Sequence, residues 1–444
     1  MRILVIATVV TALLAAGGVR AQQTAGKDGV YEELNLFDEA FERIRQDAVD
    51  PVTDQKLIGA AIAGMLSGLD PHASFFDEAA FKALQTPADD TEASLGLAVT
   101  IDNGQLKVIS PRDGSPAAQA GINPGDLIFA IDKEPAYDLT LSEVEQKLRG
   151  PPDSDVQLTL RRSTGGAPIK LTLKRERYKL QTVMARLEAG NIGYLRIAGF
   201  DGGTQAALAA AVQDLRQHSG GKLIGLILDL RNNPGGDFDA AVAVADAFIE
   251  KGDIVVVKNR KPGNDKRISA TAGDLAKGLP LVALVNGGTA RETELVAGAL
   301  QDNHRAVLLG TKTFGESSIE SLIPLGTGDA IRLTTARFTT PTGREIQGKG
   351  LDPDLGVTPL KLAKLGREDE RHEADLPGAL KNPDQAGETR TPAPDVPPGA
   401  AATPASNEPP SVATGEIGSA SDEQLIQAVD VLRGLAMLNR RAAG

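Results

Sequence analysis

Apolar and charged residues alternate with the period of an α-helix in the first part of the chain. Apolar residues recur there at helical spacing: Leu36, Phe37, Ala40, Phe41 and Ile44. A second amphipathic run, from Leu57 to Leu69, ends at Asp70-Pro71, where the proline disfavours further helix. This spacing predicts an N-terminal helical region over residues 30–89.

The pattern then changes to short runs typical of β-strands, separated by turns that contain Gly, Pro and Asp. Five such runs follow Ser94: Leu97–Val99, Leu106–Ile109, Leu127–Ile131, Val156–Leu160 and Ile169–Leu173. One helical run, Leu141–Leu148, interrupts them. We predict a compact β-rich domain over residues 90–178.

Strands and helices alternate in the next part of the chain, from Gly193 to about Val357. The predicted strands are Leu223–Leu230, Pro280–Val285 and Ala306–Leu309, and the predicted helices are Asp239–Glu250 and Glu292–Leu300. The first of these strands is an apolar run, as expected for a strand buried on both faces of a sheet. The alternation predicts an α/β domain over residues 179–362 and argues against an all-β fold there.

The last part of the chain divides into a linker and a helix. Residues 363–419 are rich in Pro and Ala, and this composition predicts disorder because it buries too little apolar surface. Residues 420–444 return to a helical pattern, with Ser421 as the candidate cap. Six apolar residues form one stripe along the predicted helix: Leu425, Ile426, Val429, Leu432, Leu435 and Leu438. A stripe of this kind predicts docking, either onto the body of the chain or onto a second subunit.

The N-terminus has the parts of a secretory signal peptide. Arg2 precedes an apolar run from Ile3 to Ala16, and the cleavage-site sequence Val19-Arg20-Ala21 follows. We predict cleavage after Ala21, so that residues 1–21 are the signal peptide. The alternative is an uncleaved anchor, but the apolar run is shorter than the roughly 20 residues that span a bilayer. An exported chain without Cys fits a bacterial periplasm.

Composition argues against several classes of function. The net charge of −12 argues against a nucleic-acid partner, because binding phosphates requires a basic surface. The four histidines lack metal-ligand spacing and there is no Cys, so we predict no metal site and no cofactor. The chain also has no Gly-x-Ser-x-Gly sequence to carry a Ser/His/Asp triad.

Two motifs carry the functional interpretation. The first is an ordered set of turns and strand starts in the β-rich domain: Ser115-Pro116-Ala117, Ala120-Gly121, Gly125-Asp126-Leu127-Ile128 and Ile131-Asp132. Together with the upstream segment Leu95, Gly96, Leu97 and Ala98, this set resembles a PDZ domain of the bacterial type. The resemblance implies that this segment binds a peptide strand and its terminal carboxylate.

The second motif is a buried strand that runs into a Gly-rich turn, Leu226-Ile227-Leu228-Asp229-Leu230-Arg231-Asn232-Asn233-Pro234-Gly235-Gly236. Such a turn at the start of a helix directs backbone N–H groups at one point, as an oxyanion hole requires. We therefore assign Gly235 and Gly236 to an oxyanion-type turn.

The full set of motifs resembles the carboxyl-terminal processing (tail-specific) peptidases over about Leu34 to Pro359. Further landmarks are Leu69-Asp70-Pro71-His72, Leu148-Arg149-Gly150, Val285-Asn286-Gly287-Gly288, Ala297-Gly298-Ala299-Leu300-Gln301-Asp302, Thr313-Phe314-Gly315, Thr340-Pro341-Thr342-Gly343-Arg344 and Pro353-Asp354. The resemblance implies a crotonase-like α/β core with an inserted PDZ domain, terminal helices and a Ser/Lys catalytic dyad.

The dyad itself is replaced in this chain. Where the family has Ser-Ala-Ser-Ala-Ser-Glu, with the middle Ser as nucleophile, this chain has Thr289-Ala290-Arg291-Glu292-Thr293-Glu294. Where the family has Thr-Phe-Gly-Lys-Gly-x-x-Gln, it has Thr313-Phe314-Gly315-Glu316-Ser317-Ser318-Ile319-Glu320. The resemblance thus places Arg291 at the nucleophile position, Glu316 at the general-base Lys and Glu320 at the supporting Gln.

Arginine cannot replace the nucleophile, because it has five donors, no acceptor and a pKa above about 12. We predict instead an ion pair between Arg291 and Glu316, joined by Glu320. The predicted function is that of an exported, catalytically degenerate homologue that binds protein C-termini, extended peptides or a partner protein without cleaving them. The resemblance also implies a homo-oligomer or an assembly with an active relative.

The alternative is an active serine- or threonine-type endopeptidase that cleaves periplasmic proteins near their C-termini with a relocated nucleophile. The candidate hydroxyls are Thr289, Thr293, Ser317 and Ser318. Each requires a general base within reach, and the nearest lysine in sequence is Lys312.

Overall fold

The structure is a computed structural model that describes residues 29–85, 93–162, 165–261, 263–326, 328–358, 417–419 and 421–442. The predicted signal peptide, and nearly all of the predicted linker, lie outside the described residues. The chain divides into two compact units. The first comprises Met1–Asp89 and Glu320–Thr334, and the second comprises Asp90–Ile319 and Thr335–Gly444.

The first unit contains the predicted N-terminal helices, one short strand and the strand residues 320–324 and 330–334. Its N-terminal elements are α1 (residues 29–47), α2 (Asp54–Ser67), β1 (Ser74–Phe76) and α3 (Glu78–Gln85). Thr53 caps α2 by accepting a hydrogen bond from the backbone N–H of Lys56. The helix ends at Gly68, before the proline that the sequence marks as a stop. β1 pairs antiparallel with residues 330–332.

The β-rich domain belongs to the second unit and contains every predicted strand. Its elements are β2 (Ala93–Ser94), β3 (Leu97–Asp102), β4 (Gln105–Pro111), α4 (Pro116–Gln119), β5 (Leu127–Ile131), β6 (Glu134–Pro135), a 3-10 turn (Ala136–Asp138), α5 (Leu141–Leu148), β7 (Arg149–Gly150), β8 (Asp155–Arg161) and β9 (Ile169–Lys174). The main sheet has the order β3-β4-β5-β8-β9 and is antiparallel throughout. β3 therefore lies at one edge of the sheet and β9 at the other.

The α/β core follows, and it lies in the second unit except for residues 320–334. Its elements are β10 (Val183–Glu188), β11 (Ile192–Ile197), α6 (Thr204–His218), β12 (Gly225–Asp229), α7 (Phe238–Asp246), β13 (Asp253–Asn259), β14 (Lys266–Ser269), β15 (Leu281–Val285), α8 (Glu292–Asp302), β16 (Val307–Gly310), β17 (Ser318–Pro324), β18 (Ala330–Thr339), β19 (Leu355–Gly356) and α9 (Glu423–Ala442). The main sheet has the order β10-β11-β12-β15-β16-β19. All its pairings are parallel except that of β10 with β11. β13 pairs antiparallel with β14 and with residues 336–339 of β18.

Both faces of the parallel sheet are buried, as the apolar strand runs predict. One face packs with α6, α7 and α8 in a large apolar cluster that includes Leu195, Leu228, Ala283 and Leu308. The opposite face carries Tyr194, Ile227, Leu284 and Leu309, and these residues pack with Leu425, Ala428 and Leu432 of α9. Gly225 provides room for this contact, since an added Cβ would lie 2.7 Å from Leu432 Cδ2.

The C-terminal helix therefore docks onto the body of its own chain, which resolves one of the two alternatives from the sequence. Two details of the prediction were wrong. The helix begins at Glu423, and Asp422 rather than Ser421 caps it by accepting from the Leu425 N–H at 3.2 Å. The predicted stripe is also buried only in part, because Leu438 is 63% exposed.

Candidate active site

Three loops form the candidate site at one edge of the parallel sheet. The turn that ends in Gly235-Gly236 follows β12, the segment that leads to Arg291 follows β15, and the segment that leads to Glu316 follows β16. β12, β15 and β16 are neighbours and parallel, so their carboxyl ends lie side by side. Ligand sites of open α/β sheets lie at this edge. The fold thus brings together the segments that the sequence assigned to the nucleophile, the base and the oxyanion turn.

Hydrogen bonds hold the three loops in fixed positions. The Asn232 N–H donates to Asn286 Oδ1 at 3.0 Å, and Asn286 Nδ2 donates to Asn232 Oδ1 at 2.7 Å. The Ala290 N–H donates to the Asn233 carbonyl at 3.1 Å. The Phe314 N–H donates to the Thr289 carbonyl at 3.0 Å. The loops therefore form one hydrogen-bonded unit.

The oxyanion-type turn contains two glycines that no larger residue can replace without strain. Gly235 has a φ of +99°, which L-residues rarely adopt. A Cβ on Gly236 would lie 2.3 Å from the backbone oxygen of Phe200. Both N–H groups already have acceptors in the structure: the Gly235 N–H donates to Asn233 Oδ1 at 3.0 Å, and the Gly236 N–H donates to Glu292 Oε2 at 3.1 Å.

Arg291 occupies the N-cap position of α8 with φ 53° and ψ −124°. Its Nε lies 3.5 Å from Glu316 Oε1 and 3.9 Å from Glu292 Oε2. The side chain of Glu316 is only 3% exposed, whereas that of Arg291 is 35% exposed. The two residues at the predicted dyad positions are therefore in ion-pair contact. Glu320 lies on β17, at the point where the chain enters the other compact unit.

Glu294 is a functional-site residue whose role the sequence analysis did not identify. Its buried carboxylate accepts from the N–H groups of Arg291 at 3.2 Å, Gly315 at 2.9 Å and Glu316 at 2.8 Å, and from the Thr313 hydroxyl. Burial raises the pKa of Glu294 to about 8, and the negative charge of Glu316 contributes to the rise. The hydrogen bonds from Thr313, Gly315 and Glu316 act in the opposite direction. One side chain thus connects the two residues at the dyad positions through their backbones.

A buried charge cluster lies behind the oxyanion-type turn. Arg231 contacts Asp229 on β12 and Asp422 at the start of α9, and all three are at most 5% exposed. Burial alone would raise the pKa of Asp229, but Arg231 and Arg196 outweigh it and hold the pKa below its ordinary value. Tyr194 donates to Asp229 Oδ2 at 2.8 Å, and burial raises the pKa of this phenol. The turn is therefore anchored to the C-terminal helix by charges.

The β-rich domain contacts the same turn. Asp113 accepts two hydrogen bonds of 2.9 Å from the guanidinium of Arg196, which also donates to the Asp229 and Arg231 carbonyls. Ser110 Oγ donates to the Asn232 carbonyl at 2.7 Å. This domain is thus bonded directly to the strand end and turn that form the candidate site.

The predicted peptide-binding segment leads into an edge strand of the sheet. Leu97 and Ala98 begin β3, the edge strand, and both are half-buried. Leu95 and Gly96 are buried, and the Gly96 carbonyl accepts from the Arg112 N–H at 2.8 Å. Gly96 has a φ of +70°, and an added Cβ would lie 2.2 Å from Ser115 Cβ. Only glycine fits this position.

Two of the candidate substitute nucleophiles, Thr289 and Ser317, have structural contacts, whereas the buried Thr293 hydroxyl has no hydrogen-bond partner among the described residues. Thr289 Oγ1 donates to the Leu230 carbonyl at 3.0 Å and accepts from the Asn286 N–H at 3.0 Å. Ser317 is buried beside Gln347, whose Oε1 accepts from the Ser317 N–H at 2.8 Å. Lys312 lies on the surface, where its Nζ is 3.2 Å from Asp352.

Comparisons with known proteins match these features. Residues 191–357 match the model of peptidase family S41, and residues 107–162 match a PDZ domain model. The carboxy-terminal-processing protease of Bartonella bacilliformis is 41% identical over 81% of this chain and 83% of its own length. The carboxy-terminal processing protease CtpA of Bacillus subtilis is 32% identical over 76% and 71%.

A solved structure gives the same fold. The photosystem II D1 C-terminal processing protease superposes with a TM-score of 0.63 at 30% identity, over 74% of this chain and 94% of that one. The α/β core with an inserted PDZ domain, predicted from the motifs, is confirmed. Among the residues that the structure describes, no helix has both the length and the apolar character needed to cross a membrane.

Proposed function

The chain belongs to peptidase family S41, with carboxy-terminal processing proteases as its relatives, and from this premise we propose that it is a catalytically degenerate, exported member of the family. It binds protein C-termini or a partner protein and does not cleave them. The observation that carries the proposal is the Arg291–Glu316 contact at the two dyad positions.

The chemistry of acyl transfer supports this proposal. The reaction requires a nucleophile with a lone pair and an acceptor for its proton. The guanidinium of Arg291 has neither a nucleophilic lone pair nor an acceptor. Glu316 is a possible base, but its carboxylate lies 3.5 Å from this guanidinium, which has no proton that a base could remove to create a nucleophile.

The alternative function, proteolysis with a relocated nucleophile, has less support from the contacts. The Thr289 hydroxyl donates to a backbone carbonyl, and Lys312 is paired with Asp352 on the surface. A nucleophile requires a general base within about 3 Å of its hydroxyl. Ser317 has Gln347 beside it, and an amide is not a base.

Cleavage of a disordered protein tests the proposal directly. We expect purified protein lacking residues 1–21 to leave casein intact and to form no adduct with a fluorophosphonate probe, as judged by mass spectrometry. CtpA of Bacillus subtilis serves as the active reference. Cleavage that disappears in Thr289→Ala or Ser317→Ala, but persists in the exposed control Ser67→Ala, would establish the alternative function.

Binding of C-termini is the positive half of the proposal. Strand addition to β3, with the terminal carboxylate held by backbone N–H groups, requires a free C-terminus. In fluorescence anisotropy we expect a decapeptide with an apolar C-terminus to bind at least about tenfold more tightly than its C-terminal amide, the minimum for a lost charge-assisted hydrogen bond. Ala98→Arg, on the edge strand, should weaken this binding by a similar factor.

The opposite edge of the PDZ sheet provides the control. Thr172 is exposed on β9, so Thr172→Arg adds the same charge far from β3 in the sheet order. Equal affinity for the acid and the amide, or equal effects of the two Arg variants, would contradict binding of C-termini by the PDZ domain. A periplasmic location and assembly as a homo-oligomer, or with an active relative, complete the proposed function.

A further inference from the structure

Glu292, the residue after the nucleophile position, fills the oxyanion-type turn. Its Oε2 accepts from the Gly236 N–H at 3.1 Å, and its side chain is 7% exposed. In the family string that this segment resembles, the corresponding residue is Ala, which has no polar group. The replacement at the dyad positions is therefore accompanied by a carboxylate in the turn beside them.

The packing around this carboxylate is close. A Cβ on Gly235 would lie 2.3 Å from Glu292 Oε2 and 3.1 Å from Arg291 Cβ. The carboxylate thus lies against the glycine backbone, in the space that a substrate carbonyl oxygen requires in order to reach the turn. Burying a polar group costs free energy unless the group is paired, so the position of the Glu292 carboxylate depends on its partners.

The nearby positive charge is Arg291, whose Nε lies 3.9 Å from Glu292 Oε2 and 3.5 Å from Glu316 Oε1. Arg291 therefore has two roles in the geometry: it replaces the nucleophile, and it is the counter-ion of the carboxylate in the turn. A cation at position 291 therefore has a physical reason, because without it the buried carboxylates of Glu292 and Glu316 would repel each other.

We infer that Glu292 is a built-in ligand of the oxyanion-type turn, which excludes both peptide carbonyl oxygens and small anions from it. The inference rests on the proposed function and adds a second, independent block to catalysis. Any oxyanion that formed at the turn would compete with the carboxylate for the Gly236 N–H and would be repelled by its charge. Restoring the dyad alone therefore leaves the turn occupied.

Revertants at the dyad test this block. We expect Arg291→Ser/Glu316→Lys to cleave casein at least about 10²-fold more slowly than Arg291→Ser/Glu292→Ala/Glu316→Lys, since loss of one oxyanion donor typically costs that factor. Equal cleavage by the two variants would overturn the inference. Because these variants also lose Arg291, their folding is checked by circular dichroism.

A measurement without catalysis decides the matter if both revertants are silent. Glu292→Ala in the otherwise natural chain leaves a space lined by the Gly236 N–H and Arg291, which a small carboxylate fits. At constant ionic strength we expect 100 mM sodium acetate, compared with chloride, to raise the Tm of Glu292→Ala by at least about 2 °C more than that of the natural chain. Glu345→Ala is the control, because Glu345 is an exposed partner of Lys258.

An equal effect of acetate on Glu292→Ala, Glu345→Ala and the natural chain, with silent revertants, would overturn the inference. If the revertants are silent but acetate raises the Tm of Glu292→Ala alone, the inference is supported. The turn then binds a carboxylate whether or not the scaffold can catalyse cleavage. Cleavage of casein by the natural chain would instead refute the proposed function. The acetate measurement involves no cleavage, so the two failures are distinguishable.

Discussion

Replacement of Arg231 by methionine will destabilise the chain by about 3–5 kcal/mol, the usual cost of removing one partner from a buried ion pair. The guanidinium of Arg231 makes five hydrogen bonds, two to Asp229, two to Asp422 and one to Gln424. The variant leaves Asp229, which is fully buried, without its nearest guanidinium. We expect the urea midpoint to fall and amide hydrogen exchange in α9 to accelerate, because Asp422 and Gln424 belong to that helix and its cap.

A surface pair on the same helix provides the matched control. Arg433 lies 3.6 Å from Asp430, and both side chains are at least half exposed. Exposed pairs of this kind contribute at most about 0.5 kcal/mol, so Arg433→Met should leave the midpoint almost unchanged. Equal effects of the two substitutions would mean that the charge cluster does not hold α9 on the sheet.

Replacement of Glu294 by leucine will destabilise the chain by at least about 3 kcal/mol. The apolar side chain leaves three backbone N–H groups, those of Arg291, Gly315 and Glu316, without their acceptor in a buried site. Each unsatisfied buried group costs about 1–3 kcal/mol. Glu294→Gln, which keeps the shape and one acceptor, should cost much less at pH 7. Equal denaturation midpoints for the two variants would contradict this role.

The same residue predicts a pH dependence. The pKa of Glu294 is raised to about 8 in the folded chain by burial, so between its ordinary value and pH 8 the folded state holds a proton that the unfolded state has lost. The stability from this group is therefore complete below its ordinary pKa, falls as the pH rises from there, and is lost once the pH passes about 8. Comparison of urea midpoints from pH 5 to pH 9 should show a steeper decline in the natural chain than in Glu294→Gln. Parallel curves would contradict the raised pKa.

The α/β core could be predicted from the sequence because its signals are local. The parallel strands are apolar runs, and the structure places β12, β15 and β16 close to the predicted ranges, with strand ends shifted by one or two residues. α5 and β5 have the predicted bounds. The helix predicted at Asp239–Glu250 ends at Asp246 instead, because the chain turns at Ala247, which still lies in the apolar pattern.

The candidate site could be predicted only in its principal positions. The motifs located the oxyanion-type turn, Arg291 and Glu316, since each lies directly after a strand whose carboxyl end meets the same sheet edge. The sequence indicated no role for Glu294, because the groups of Thr313, Gly315 and Glu316 that donate to it lie 19 to 22 residues away. It indicated no role for Glu292 for the same reason, since its partner Gly236 is 56 residues away.

The sequence by itself thus determined most of the secondary structure and the family-type scaffold, and it predicts the replacement of the Ser/Lys pair, because these depend on local periodicity and on residues in order. Only the tertiary structure decided which groups face one another. It places α9 on the second face of the sheet, Asp422 on Arg231 and the Glu292 carboxylate in the oxyanion-type turn. Such contacts join residues that are at least 56 positions apart, and the order of residues along the chain gives no sign of them before the chain has packed.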